Sequence, residues 1–200
     1  MIFSEPTPIN ISFKGERDYL RSSDIYKEFL KMTPKFSSFE MLIFKKMVGE
    51  LSFIPVAINA KKSNYAAMIY YQADGADYAI AVEEDPVHKV TLRRPYDEMT
   101  AIQGYQLNES ECSINLLPSD KESTAMDYIV ALNKKLLQAT ISKETKWAFT
   151  RLELNQPLFV GEIQIKLLKN IGVRLTKSSI EINHKPIGYI YFSDFSKAYQ

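Results

Sequence analysis

Ser119-Asp120-Lys121-Glu122-Ser123-Thr124-Ala125-Met126-Asp127 opens the stretch whose reading decides the fold, and that stretch runs on to Ile190. Its first five residues supply helix caps and first-turn carboxylates, which the positive end of a helix favours. Ala125/Met126, Ile129, Leu132 and Leu136/Leu137 then recur at helical spacing, so the pattern predicts a helix from Ser123 to Ala139. About 17 such residues span roughly 25 Å. Lys134, Lys135 and Lys143 fall toward its C-terminal end, where positive charge is favourable. Trp147 to Leu154 reads as a strand stopped near Pro157, and Ile163, Ile165 and Leu167 alternate with polar residues as a half-buried strand does. Val173 to Ile182 and Ile187 to Phe192 make a final pair, turning through Asn183-His184-Lys185-Pro186.

The first half carries a fainter version of the same order. Pro6 and Pro8 keep the lead-in extended. Ser22 or Ser23 caps a short helix through Lys31, with Ile25 and Phe29 on one face, and Pro34 stops it. Phe39 to Phe44 is apolar at nearly every position, which predicts a strand covered on both faces. Pro55 interrupts the residues beyond that strand. Tyr65–Tyr71 and Tyr78–Val82 flank Asp74-Gly75, a strong hairpin signal because both residues accept positive φ. Glu83-Glu84-Asp85-Pro86 reads as an acidic turn, and Lys89–Leu92 as a resumed strand. Few apolar repeats occur from 95 to 122, so residues 104–120 read as a joint between residues 1–104 and 105–200. Helix, strand, break and tight hairpin thus recur twice, which an internal duplication would produce.

Composition narrows the function classes. The 200 residues carry 25 basic and 24 acidic side chains, a net charge of +1, which gives no electrostatic footprint for nucleic acid or an anionic membrane. At 46% hydrophobic and 12% aromatic, the chain can build a core. One cysteine, Cys112, excludes an intrachain disulfide and a thiolate metal cage. The first ten residues lack a signal-peptide pattern, and no apolar run approaches the ~20 residues that cross a bilayer, so a cytoplasmic protein is expected. No metal-ligand spacing and no Gly-rich phosphate loop is present, and no cofactor is expected.

The 17-residue helix with Ala131-Leu132-Asn133, the Trp147–Leu154 strand and the closing pair Val173–Ile180 and Ile187–Phe192 resemble the hot-dog fold in its fused, double form. The resemblance implies an α+β protein of two halves, each a long helix wrapped by a curved antiparallel sheet, the whole one continuous pseudo-dimeric domain in the limit. It also implies handling of acyl thioesters of coenzyme A or acyl-carrier protein, as thioesterases and dehydratases of that superfamily do. The ligand then lies between the halves, with the thioester carbonyl near a helix start, where free N–H groups and the helix dipole stabilise an oxyanion. The chain lacks the histidine with a following Pro-Gly pattern of the dehydratase branch. It also lacks the Asp and downstream Gly-His pair of many thioesterases. A thioesterase-like hydrolase, a non-catalytic acyl or apolar ligand-binding protein and an interaction module of the same shape all remain open.

Candidate residues emerge from chemistry and position. Asp127, on the long helix, is the candidate general base, with solvated or capping acid as its ordinary alternative. Asp24 holds the corresponding place in the first helix. His88, after the acidic run, could be a tuned acid/base or an exposed loop histidine. Arg93 and Arg94 could grip a coenzyme A phosphate bidentately, or be solvated before Pro95. Asn133 is the remaining ligand-binding candidate. Cys112 lacks the context of an activated thiol, and His184 suits a turn. Oligomeric state has no signature here.

Overall fold

The computed structural model describes residues 5–61, 65–118, 123–171 and 175–194. The chain forms two compact units, one of Met1–Tyr96 with Asn155–Pro157 and one of Asp97–Leu154 with Leu158–Gln200. In the first, the elements are β1 (Thr7–Ile9), β2 (Phe13–Lys14), α1 (Ser22–Met32), β3 (Ser38–Ile43), β4 (Gly49–Val56), β5 (Ala67–Ala73), β6 (Ala76–Lys89) and β7 (Arg93–Arg94). The second holds α2 (Glu98–Ala101), β8 (Gln106–Asn108), β9 (Ser113–Leu116), α3 (Ala125–Thr140), β10 (Trp147–Leu154), β11 (Ile163–Ile171), β12 (Leu175–Ile182) and β13 (Lys185–Asp194). No helix among the described residues is long and apolar enough to cross a membrane.

In the first unit an antiparallel sheet runs in the order β1-β4-β6-β5-β3, and α1 lies against one face of it. Ile25, Tyr26 and Phe29 make the buried stripe of α1. Phe29 meets Phe39 and Tyr71 at 5.1 Å between ring centroids in each case, and Tyr26 meets Phe39 edge-on at 5.2 Å. Such aromatic pairs add about 0.5–1.5 kcal/mol each beyond area burial. The helix stops at Thr33, the residue before Pro34, which proline disfavours in helical conformation. β3 corrects the expectation of a strand buried on both faces. Phe39 and Met41 are buried, Phe39 against Tyr26 and Phe29 of α1, whereas Ser38 is exposed and Glu40, Leu42 and Ile43 are only half-buried.

Two prolines also behave differently from their sequence reading. Pro55 lies inside β4, opposite Ile80. β1 pairs β4 only from Leu51 to Phe53, so beyond Phe53 that edge asks no ladder hydrogen bond of Pro55. Pro86 lies inside β6, because the strand continues through the acidic run, with Ser52 opposite Glu83 and Leu51 opposite Glu84. The expected turn survives as a bulge. Glu50 pairs Asp85 and Gly49 pairs Lys89, and Asp85 Oδ1 accepts the backbone N–H groups of Val87 and His88 across the extra residues. Strand pairing then ends at Lys89, apart from the two-residue parallel bridge of β7 with β2.

In the second unit the order is β10-β13-β12-β11-β9-β8, again antiparallel. Ile163, Ile165, Leu152, Ile180, Ile182 and Ile190 are fully buried on the sheet, and Ile129, Leu132, Leu136 and Leu137 on α3. Trp147–Leu154 is a strand with the predicted bounds. Residues 104–120 carry β8 and β9, both built into this sheet, and the expected helix starts two residues later than the pattern indicated. The reason for the later start is Thr124, whose side chain is the cap.

Both units contain a two-residue hairpin with left-handed backbone at both turn positions. Asp74 (φ 51°) and Gly75 (φ 76°) join β5 to β6, and Asn183 (φ 51°) and His184 (φ 61°) join β12 to β13. The second turn is therefore shorter than expected, since Lys185 and Pro186 already pair with Ile182 and Glu181. A helix followed by four strands occurs in both units, but the pairing of those strands differs. The strand after the helix pairs with the first hairpin strand in one unit (β3 with β5) and with the last in the other (β10 with β13).

Candidate functional site

The start of α3 is built by a reciprocal cap. Asp127 Oδ2 accepts the Thr124 backbone N–H at 3.2 Å and the Thr124 hydroxyl at 2.8 Å, while Thr124 Oγ1 accepts the Asp127 N–H at 3.2 Å. This satisfies N–H groups that a helix start otherwise leaves open and sets a carboxylate beside the positive end of the dipole. Asp127 is only 2% exposed. The same carboxylate that was the candidate base is thus the N3 member of a capping box.

Asn133 sits in the middle of α3 with no exposed surface, and neither its Oδ1 nor its Nδ2 has a hydrogen-bond partner among the described residues. Its helical neighbours at three and four positions are Ile129, Val130, Leu136 and Leu137, and Met126 lies seven residues before it, all buried. It interrupts an otherwise apolar stripe. A buried donor or acceptor left unmade costs about 1–3 kcal/mol, so folding alone does not select an amide here. Asp127 lies six residues earlier, roughly 120° around the helix, so the two side chains leave α3 in different directions. The sheet contributes a second such group: Ser178 on β12 is fully buried, and its hydroxyl also lacks a partner among the described residues. Ser178 belongs to the buried face of that strand, with Thr176, Ile180 and Ile182.

In the first unit, Asp24 is the centre of a polar cluster. It occupies the first turn of α1, 2% exposed, with Lys14 Nζ at 2.9 Å and Arg94 Nη2 at 3.4 Å from Oδ1. Arg94 Nε also donates to Ser12 Oγ at 2.7 Å. Arg21, 3% exposed, stacks over the Tyr96 ring at 4.3 Å, and Lys14 stands 5.3 Å from the same ring. The fold therefore brings together Asp24 and Arg94, two of the sequence candidates separated by 70 residues. Arg93 is used otherwise: its Nη1 donates to the carbonyls of Gly15 and, at 2.8 Å, Arg17, which ties the segment after β2 to β7.

His88 lies exposed on the β6 bulge, with Nδ1 2.7 Å from Asp85 Oδ2. The Asp85 carboxylate raises its pKa above the ordinary imidazole value, and His88 in turn, with the Val87 N–H, lowers that of Asp85. The pair is a surface ion pair. No group of three or more His, Cys, Asp or Glu among the described residues is placed to hold a metal ion. A cleft of about 210 Å³ opens in the first unit between Pro55, Ile58, Tyr71, Asp77, Tyr78 and Ile80. Burial raises the Tyr71 phenol there, against a hydrogen bond from Thr33.

Several participants escaped the sequence reading. Lys14 and Ser12 were not among the sequence candidates, and only the pairing of β2 with β7 sets them beside Arg94. Glu84 looked like part of a turn. Its carboxylate instead accepts the N–H groups of Val48 (2.6 Å) and Gly49 (2.8 Å) and pairs with Lys45 at 2.9 Å, which pins the start of β4. Ser178 carries no sequence signal, because a single serine in an alternating strand reads as an outward residue until its register is known.

No protein-family model matches the sequence, and no curated protein is significantly similar to it. In backbone structure the chain is similar to the tesB protein of Mycobacterium avium subsp. paratuberculosis, at 7% identity over 92% of this chain and 89% of that one, with a TM-score of 0.50. A conserved protein with a hot-dog fold from Alicyclobacillus acidocaldarius is similar over 88% of this chain and 86% of its own, at 6% identity and a TM-score of 0.46. Proteins of the hot-dog fold are thus among those whose backbone this chain resembles. An acyl-ACP thioesterase from Bacteroides thetaiotaomicron covers 94% of this chain with 97% of its own, at 9% identity and a TM-score of 0.39. At these identities the hot-dog likeness concerns architecture alone.

Proposed function

We propose that this hot-dog protein handles acyl thioesters of coenzyme A or acyl-carrier protein, as a thioesterase-like hydrolase made of two fused hot-dog-like halves. The observation that carries the reading is the start of α3, where a buried carboxylate sits on the first turn of a capped helix. The helix dipole suits an oxyanion at that place, and Asp127 would take the proton of the attacking water. The likeness in fold to a tesB protein supports the same reading.

The capping bonds of Asp127 favour a second reading, in which the protein binds an acyl or other apolar ligand without turnover. A panel of acyl-coenzyme A substrates of varied chain length, assayed for thiol release, separates the two. Hydrolysis that is lost in Asp127→Ala and kept in Thr124→Ala supports the hydrolase, since the second variant removes the cap and leaves the carboxylate. Micromolar binding with no thiol release supports the second reading. Absence of both binding and turnover rejects the acyl-thioester assignment.

A further inference from the structure

The antiparallel sheet of the first unit forks at one point. β4 and β6 pair as far as Val56 opposite Ala79, whereas β6 stays paired to β5 on its other side down to Ala76. Ala76, Asp77 and Tyr78 therefore have one paired edge and, among the described residues, one open edge. The hairpin fixes which backbone groups face the open side. Asp74 and Gly75 both have positive φ, so Ala73 and Ala76 close a two-residue turn as a hydrogen-bonded pair. Bonded and non-bonded pairs then alternate, so Tyr71 and Tyr78 bond each other, while Gln72 and Asp77 turn their backbone groups outward. The Ser37 N–H accordingly donates to the Gln72 carbonyl at 2.9 Å, on the side away from β6. By the same alternation the Asp77 N–H and C=O point to the place that β4 vacates. The cleft of about 210 Å³ lies at this fork, between Asp77–Ile80 and Pro55–Ile58.

The two faces of the fork differ in chemistry. Tyr71 and Tyr78 stack with ring centroids 5.1 Å apart, and Ile80 and Pro55 belong to the same face. Asp77 belongs to the other face, where Gln72 Nε2 donates to its Oδ1 at 3.2 Å, and it is the one charged residue lining the cleft. An open strand N–H and C=O are the groups that an incoming strand satisfies. We infer that the fork docks an extended peptide segment of a partner protein, antiparallel to β6, reading an apolar residue and then lysine or arginine. The order comes from the register. A chain laid along β6 in the direction of β4 meets Tyr78 first and Asp77 next. Directly opposed side chains share a face, so the first residue rests against the tyrosine rings and the second stands beside the carboxylate, where opposite charge is favourable. The cleft equals about seven water volumes, room for one phenylalanine or leucine side chain. The docking site is independent of the thioester chemistry proposed for α3.

NMR titration of the full, isotope-labelled chain with acetyl-Gly-Phe-Lys-Gly-amide tests the docking. The Asp77, Tyr78 and Ile58 amides should shift together, the Asp77 N–H moving downfield as it gains an acceptor. This peptide should bind about threefold or more tightly than one with glutamate for lysine, or one with phenylalanine and lysine exchanged. Methylating the lysine main-chain nitrogen removes the N–H offered to the Asp77 carbonyl and should weaken binding about fivefold. Asp77→Asn should keep binding and lose the preference for lysine over glutamate. Asp77→Pro removes the open N–H, at a position where no ladder bond is lost, and should abolish binding. The methylated peptide leaves the protein untouched, so its result stands even where Asp77→Pro misfolds. No shift at Asp77, unchanged affinity on methylation, or a lysine preference that survives Asp77→Asn would each overturn the proposal. Equal shifts of the same amides with benzyl alcohol alone would reduce the fork to an apolar pocket and overturn it as well.

Discussion

Replacing Asn133 by leucine should make the free protein more stable, and the size of the effect can be worked from its surroundings. The amide is fully buried, both of its polar ends lack partners among the described residues, and five apolar residues flank it on α3. Each unmade buried group costs about 1–3 kcal/mol, and a leucine of similar size adds favourable burial in the same space. Part of the gain is lost to repacking, since a branched side chain must find a rotamer in a filled interior. A net stabilisation of about 2 kcal/mol is expected from these terms. For a chain of this size that corresponds to a rise in melting temperature of roughly 4–8 °C. Differential scanning calorimetry and urea unfolding of the unliganded protein measure it, with an unchanged m-value showing that the unfolded state is unaltered. Destabilisation by about 1 kcal/mol or more would refute the reasoning, because it would mean the amide is satisfied in the free protein.

Asp24→Ala should cost about 3–5 kcal/mol, since it strands the buried Lys14 ammonium without its carboxylate, and the double variant Asp24→Ala/Lys14→Met should recover much of that in urea unfolding. Glu84 is pushed up by burial, but the N–H groups of Gly49 and Val48 and the Lys45 ammonium outweigh this and lower its pKa below 4.5. Its contribution is therefore present above the unfolded-state value and lost as pH falls through the lower folded one. Stability at pH 7 minus stability at pH 3 should accordingly shrink in Glu84→Gln. His88 should titrate above 6.5 by NMR and move down in Asp85→Asn, and an unchanged midpoint would show that the contact does not persist in solution.

The sequence revealed elements whose signal is local and concealed those that depend on distant pairing. The α3 periodicity, the Trp147–Leu154 strand and the Asp74-Gly75 turn were legible because each is written within a short run of neighbouring residues. β4 and the far half of β6 were not, because Pro55 and Pro86 read as breaks until the ladder shows that neither needs to donate. The candidate site divided in the same way. Asp127 and Asn133 stood out on a strongly patterned helix. The capping partner Thr124 was passed over for Ser123 although it lies three residues before Asp127. Lys14 and Ser178 acquire meaning only from register, which no local pattern encodes.

The difference in strand pairing between the units has a consequence for how each is assembled. In the second unit β11, β12 and β13 form a meander, so Ile165 meets Ile180 only 15 residues on. In the first, the chain leaves β4, passes over the place of β6, lays down β5 and turns back, so Leu51 must wait for Glu84, 33 residues away. Loop-closure entropy makes the more distant pairing slower to form. The β5–β6 hairpin must therefore exist before β4 has an edge to join, and pulsed hydrogen exchange that found β4 protected ahead of that hairpin would contradict this order. The two units thus take different routes to their sheets, and the first-unit cleft beside Pro55 and Ile80 can form only at the last step of its route.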